Sequence, residues 1–231
     1  MYRKIRGFTS LLFLMAMFAA LSSALAAEMA DPQSSTFSLE GVTFKYRLPE
    51  GFCAPTGKAR EAAESIASID QKNMTHFTIV LCREMGSSSA LTRWGMMKTP
   101  RSSIGRTIPA RQAFILDFKN NIKNFALRAS LNESEKLVGK TFKDVFGIDA
   151  KIGMHMEPIE ADDYAGYLGG TISLSLAGKN QLTACVGAMT IVREHVFFYY
   201  KYSQYTSPAD IADLLKQVKD EVRLFVVDNG G

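Results

Sequence analysis

The sequence predicts an α+β protein, a three-layer α/β/α sandwich with a central twisted antiparallel sheet. Three observations carry that expectation. After Gly147, four strand-like stretches at about 150–159, 164–176, 181–192 and 195–205 are divided only by "EADD", "LAGKNQ" and "REH". Connections that short permit antiparallel pairing and exclude crossovers. The last stretch, "HVFFYYKYSQY", sends Val196, Phe198, Tyr200 and Tyr202 one way and Phe197, Tyr199, Lys201 and Tyr205 mostly the other. A strand apolar on both sides is covered on both sides. Helical spacings before residue 147 and after Ser207 supply the covers, and the tyrosine hydroxyls are expected at the sheet's margins, where they meet water or backbone.

From the amino end, Arg3, Lys4 and Arg6 precede an apolar run from Leu11 to Leu21, followed by Ser22, Ser23 and the small residues Ala24 and Ala26. This reads as a secretory signal peptide over 1–26, cleaved after Ala26. The run is shorter than the roughly 20 residues a bilayer-crossing helix needs, which argues against a membrane anchor. Residues 27–231 then read as a single globular secreted domain, with a bacterial periplasm as its destination. In "FSLEGVTFKYRLP", Phe37 and Leu39 precede a Glu-Gly turn, and Val42, Phe44, Tyr46 and Leu48 alternate with Thr43, Lys45 and Arg47. That pattern is a hairpin with one wet face. Residues 58–71 are an Ala-rich helix, and "HFTIVLC" is a more fully buried strand. From Pro109, Phe114, Phe118, Ile122 and Phe125 have helical spacing; a second helix starts at Asn132 and runs through Leu137, Phe142 and Val145. At the end, Ser207 caps, Pro208 begins, and Asp210 completes a capping pattern for a helix whose apolar stripe is Ile211, Leu214, Leu215, Val218, Val222 and Phe225.

Three cysteines, Cys53, Cys82 and Cys185, lie in an exported chain, where pairing is the default. Cys53 and Cys82 follow strand-like segments and are expected to form the disulfide, closing a loop that contributes on the order of 3 kcal/mol. Cys185, inside the apolar "QLTACVGAMTIV", is expected to remain a buried thiol.

The chain has 27 Lys and Arg against 23 Asp and Glu. Three of the basic residues and none of the acidic ones precede Ala27, which leaves 24 against 23, a net charge of about +1. That balance gives no reason to expect a nucleic-acid partner. No GxSxG elbow, P-loop, GxGxxG, HExxH or CxxC is present. His76, His155 and His195 are scattered over different elements and are read as structural or solvated. Met154, His155 and Met156 carry copper-type ligand atoms, but on a strand the methionines share one face and His155 the other, so core packing accounts for them. Glu157, Glu160, Asp162 and Asp163 lack the alternation of a calcium loop and read as a solvated turn. No catalytic residue, metal or cofactor is expected.

The segment 83–110 has weak periodicity, the sole tryptophan, Trp94, adjacent Met96 and Met97, and the cations Arg93, Lys98, Arg101 and Arg106. It reads as a structureless basic loop facing a protein, glycan or envelope-surface partner, with a lid packed down on the sheet as the alternative.

The order of elements resembles the PsbP-like α/β/α sandwich of small secreted bacterial proteins. The likeness rests on the hairpin ending in "LPEGF", the consecutive late strands, "VFFYYKYS", and a closing helix with an Asp-containing cap. It implies a non-enzymatic binding or accessory protein; a small secreted hydrolase or metal-handling protein is the alternative.

Overall fold

The computed structural model describes residues 34–85, 91–108, 110–122, 150–176 and 179–231. The expected signal peptide, Phe125 and the expected helix from Asn132 through Val145 lie outside these residues. Strands β1 (Ser34–Leu39) and β2 (Val42–Arg47) form a separate two-stranded hairpin. They are followed by β3 (Phe52–Cys53), α1 (Gly57–Ile69), β4 (Asn73–Leu81), β5 (Arg93–Pro100), α2 (Arg111–Asn121), β6 (Ala150–Ala161), β7 (Gly166–Leu176), β8 (Lys179–Val192), β9 (His195–Gln204) and α3 (Pro208–Asp228). Seven strands form one sheet in the order β3-β4-β5-β9-β8-β7-β6, with every neighbouring pair antiparallel. The expected fold class is therefore the observed one.

The segment 83–110 requires a correction: its middle, Arg93–Pro100, is strand, not loop. β5 lies between β4 and β9, inside the sheet. Its period is invisible because Gly95, Met96 and Met97 are all buried in succession. A strand covered on both faces does not alternate polar with apolar, and β5 has neither valine nor isoleucine to mark it.

The hairpin and α3 lie over one face of the sheet. There Phe44, Tyr46, Phe197, Tyr199, Val222 and Phe225 share a core. On the other face α2 lays Phe118 over Gly166, where an added Cβ would stand 2.6 Å from the ring. Phe118 joins Met156, Leu168 and Cys185 in a second, smaller core. Gly187 similarly makes room for Tyr200, whose ring is 2.7 Å from where a Cβ would lie.

The hairpin turns through Glu40 (φ 50°) and Gly41 (φ 81°), the positive pair that a two-residue turn between twisted strands requires. It is fastened to the end of α3 by side chains. Asn229 accepts from the Lys45 N–H at 2.8 Å and donates to the Lys45 carbonyl at 2.8 Å, as a neighbouring strand would. Arg47 makes a bidentate pair with Asp228, both contacts at 2.5 Å. Arg193, in the β8–β9 turn, donates to the Asn229 carbonyl at 2.7 Å. The disulfide joins Cys53 to Cys82 with Cα atoms 5.0 Å apart, where β3 meets the end of β4, and Cys185 is a buried free thiol.

Candidate functional site

β5 distributes the residues proposed above for partner contact. Met96 and Met97 are buried, on opposite faces of the sheet. Lys98 is half-buried and salt-bridged to Asp70, the residue that ends α1, at 2.6 Å. Burial alone would raise the Asp70 pKa, but the Lys98 hydrogen bond and charge and the Asn73 donors lower it below its ordinary value. Arg93 is exposed at one end of the strand; Arg101 and Arg106 are exposed past the other. Eight residues of extended chain separate Arg93 from Arg101 by about 26 Å. The cations therefore do not make one patch. Trp94 is half-buried and stacks on Tyr202, with ring centroids 4.9 Å apart and planes 11° from parallel. Arg93 and Trp94 stand at the same end of β5 but, as neighbours on a strand, on opposite faces of the sheet: Trp94 against Tyr202, Arg93 on the side of Lys201 and α3.

The histidines stand apart. His76 stacks on Phe37 at 4.3 Å and hydrogen-bonds Thr99 at 2.8 Å; burial lowers its pKa to about 4. His195 contacts Glu40 at 3.3 Å and donates to the Arg193 carbonyl at 2.5 Å. His155, largely exposed, lies 3.8 Å from Glu157. Met154 and Met156 both belong to the core on the α2 side, so the strand keeps them on the face opposite His155, as the spacing requires. No group of three His, Cys, Asp or Glu side chains with metal-site geometry occurs among the described residues. In the acidic turn, Asp162 accepts from the Tyr164 N–H at 2.8 Å, the Ala165 N–H at 3.0 Å and the Tyr167 hydroxyl at 2.9 Å. Glu160 pairs with Lys219 of α3 at 2.6 Å.

Sequence reasoning missed one cluster. Lys201, expected on a sheet face, is 1 % exposed. Its ammonium donates to Glu221 of α3 and lies 4.3 Å from the centre of the Phe52 ring. Tyr46 of the hairpin donates to the Tyr199 hydroxyl at 2.9 Å, and Tyr199 donates to the other Glu221 oxygen. The expectation that tyrosine hydroxyls reach the sheet margin thus fails for this pair, which is satisfied inside. Burial raises the pKa of Glu221, partly opposed by Lys201, and lowers that of Lys201. The only sequence signal was a lysine in an otherwise aromatic strand and a glutamate one residue before Val222 on the α3 stripe. The cluster ties hairpin, sheet and helix together, and Lys201 is shut off from solvent. Across the sheet, burial pushes the Cys185 thiol up to about 12, with Tyr202 hydrogen-bonded beside it.

No family model and no curated protein matches the chain. Among solved structures it is similar to the Ran-binding protein Mog1p of Saccharomyces cerevisiae, with TM-score 0.37 and 11% identity over 85% of this chain and 97% of that one. It is also similar to the cyanobacterial PsbP protein CyanoP of Synechocystis, with TM-score 0.33 and 11% identity over 87% of this chain and 94% of that one. Scores this low carry nothing about ligand or activity.

Proposed function

We propose that the chain is a non-enzymatic binding or accessory protein of the bacterial periplasm, exported by removal of residues 1–26, and that it meets a protein or envelope-surface partner where Arg93 and Trp94 emerge. The observation that carries this reading is how the ionisable side chains are used. His76 lies against Phe37, His195 against Glu40, Asp162 is spent on its own turn, and Glu221 and Lys201 are closed in the core. Each holds one element to another. Trp94 and Arg93 end a central strand, so a rigid sheet presents them.

The test is photo-crosslinking in living cells from a reactive side chain at position 93, compared with one at position 106. A discrete crosslinked partner from 93, lost with Trp94→Ala and absent from 106, is the expected outcome. Crosslinking from 106 alone would move the surface to the other end of the sheet. A hydrolytic activity of the purified protein that disappears in His76→Gln, His155→Gln or His195→Gln would replace this reading with the hydrolase one.

A further inference from the structure

β4 slips register by one residue between Thr75 and Phe77. Regular alternation would send His76 and Phe77 to opposite faces; the irregularity turns both rings towards the hairpin. His76 stacks on Phe37 of β1, and Phe77 lies 4.2 Å from the Tyr46 ring of β2. Bulges of this kind re-aim side chains and recur beside functional sites. The hairpin belongs to a two-stranded sheet of its own and pairs with no strand of the larger sheet among the described residues. Rings and polar staples hold it there, and one of those rings is the imidazole of His76.

We propose that the β1–β2 hairpin is an acid-sensitive strap, closed over the aromatic side of the sheet near neutral pH and lifted when His76 gains a proton. The side chains facing His76 are Phe37 from β1, Thr99 from β5 and Phe197 from β9, and none of them titrates. The charged groups on the elements closing over this region include Glu40, Lys45 and Arg47 of the hairpin, Arg193, Glu194 and His195 at the β8–β9 turn, and, on α3, Asp228 and Glu221, the latter bound to the Tyr199 hydroxyl that holds Tyr46. A proton on His76 places a charge between hairpin and sheet with no carboxylate in contact to receive it. Glu40, which contacts His195 and accepts from the Gly105 N–H, and Asp228, which holds Arg47, fasten the hairpin away from His76. Asn229 and Tyr46 remain as hinges that do not respond in this range.

The sign follows from proton linkage. His76 binds its proton less readily with the strap closed, so closure is complete above its ordinary value near 6.5 and weakens as pH falls towards about 4. Each pH unit in that window changes the opening constant by up to tenfold. Because His76 is partly exposed, solvent reduces the effect, and a total of about tenfold is expected.

The experiment is hydrogen exchange read by mass spectrometry on the full chain from pH 7 to pH 4, corrected for intrinsic rates. Peptides covering 34–47 should lose protection by about tenfold, while peptides covering β8 and β9 keep theirs. His76→Gln retains a partner for Thr99 and cannot titrate, so it should hold the hairpin's protection flat down to the carboxylate range. Unchanged hairpin protection in the native protein, equal loss in every strand, or an unaltered profile in His76→Gln would each overturn the proposal. Should that variant not fold, the ring protons of His76 in the native protein decide: titration near pH 4 in step with hairpin exchange supports the strap, and titration near 6.5 with a still hairpin sinks it.

Discussion

At the scale of the residue, the buried Lys201–Glu221 pair has the largest consequence. A buried pair adds little over an apolar pair, yet removing one partner leaves an uncompensated charge inside. Lys201→Met should therefore lower urea stability by about 3–5 kcal/mol, and adding Glu221→Leu should recover much of that loss. A double variant no better than the single one would mean that the cluster does more than balance charge. Its pH behaviour has a definite sign. Because burial raises the Glu221 pKa, the folded protein binds that proton more readily than the unfolded chain. The associated stability is complete below the ordinary carboxylate range and is lost as pH rises through the raised value. Stability measured from pH 4 to 8 should fall relative to Glu221→Gln, which keeps a hydrogen-bonding partner for Tyr199 without the charge; parallel profiles would refute this. Neither consequence was legible in the sequence, because a lysine between two tyrosines looks the same whether it points to solvent or to a carboxylate on a distant helix.

At the scale of the element, legibility tracked one-sided burial. The hairpin, α3 and the four late strands are plain in the sequence because one side is wet, or because turn and cap residues punctuate them. β5 was hidden: Gly95, Met96 and Met97 are buried in succession, so polar and apolar positions do not alternate, and Trp94 and Thr99 are its only strand-favouring residues. Treating it as a loop also merged Arg93 with Arg101 and Arg106 into one basic patch that the extended strand divides. Turns give a further test. The β8–β9 connection runs through Arg193 at φ 48° and Glu194 at φ 65°, where glycine or asparagine would be less strained. Glu194→Gly should raise stability by a few tenths to about 1 kcal/mol, whereas Arg193→Gly should not gain, because it forfeits the bond to the Asn229 carbonyl. Thermal unfolding of the two variants side by side checks this, and equal gains would show that Arg193 fastens nothing.

At the scale of the whole molecule, the chain closes on itself: the hairpin that starts the described residues is fixed to the residues that end α3, and the disulfide pins β3 to the end of β4. Such an arrangement suits a chain that folds after export, since the disulfide forms only where thiols are oxidised. Material isolated from the periplasm should have the mass of residues 27–231 with one disulfide, and Cys185 should resist alkylation until the protein is denatured. Reduction constrains the unfolded chain less across the 29-residue separation between the two cysteines, so a reductant should lower the melting temperature by about 5–10 °C. Cys53→Ser should reproduce that shift and be insensitive to reductant, because Cys82 then has lost its partner and Cys185 is buried within the sheet. A mass corresponding to the full sequence would remove the cleaved leader from this account, and alkylation of Cys53 and Cys82 in the native protein would remove the disulfide from what stabilises the fold.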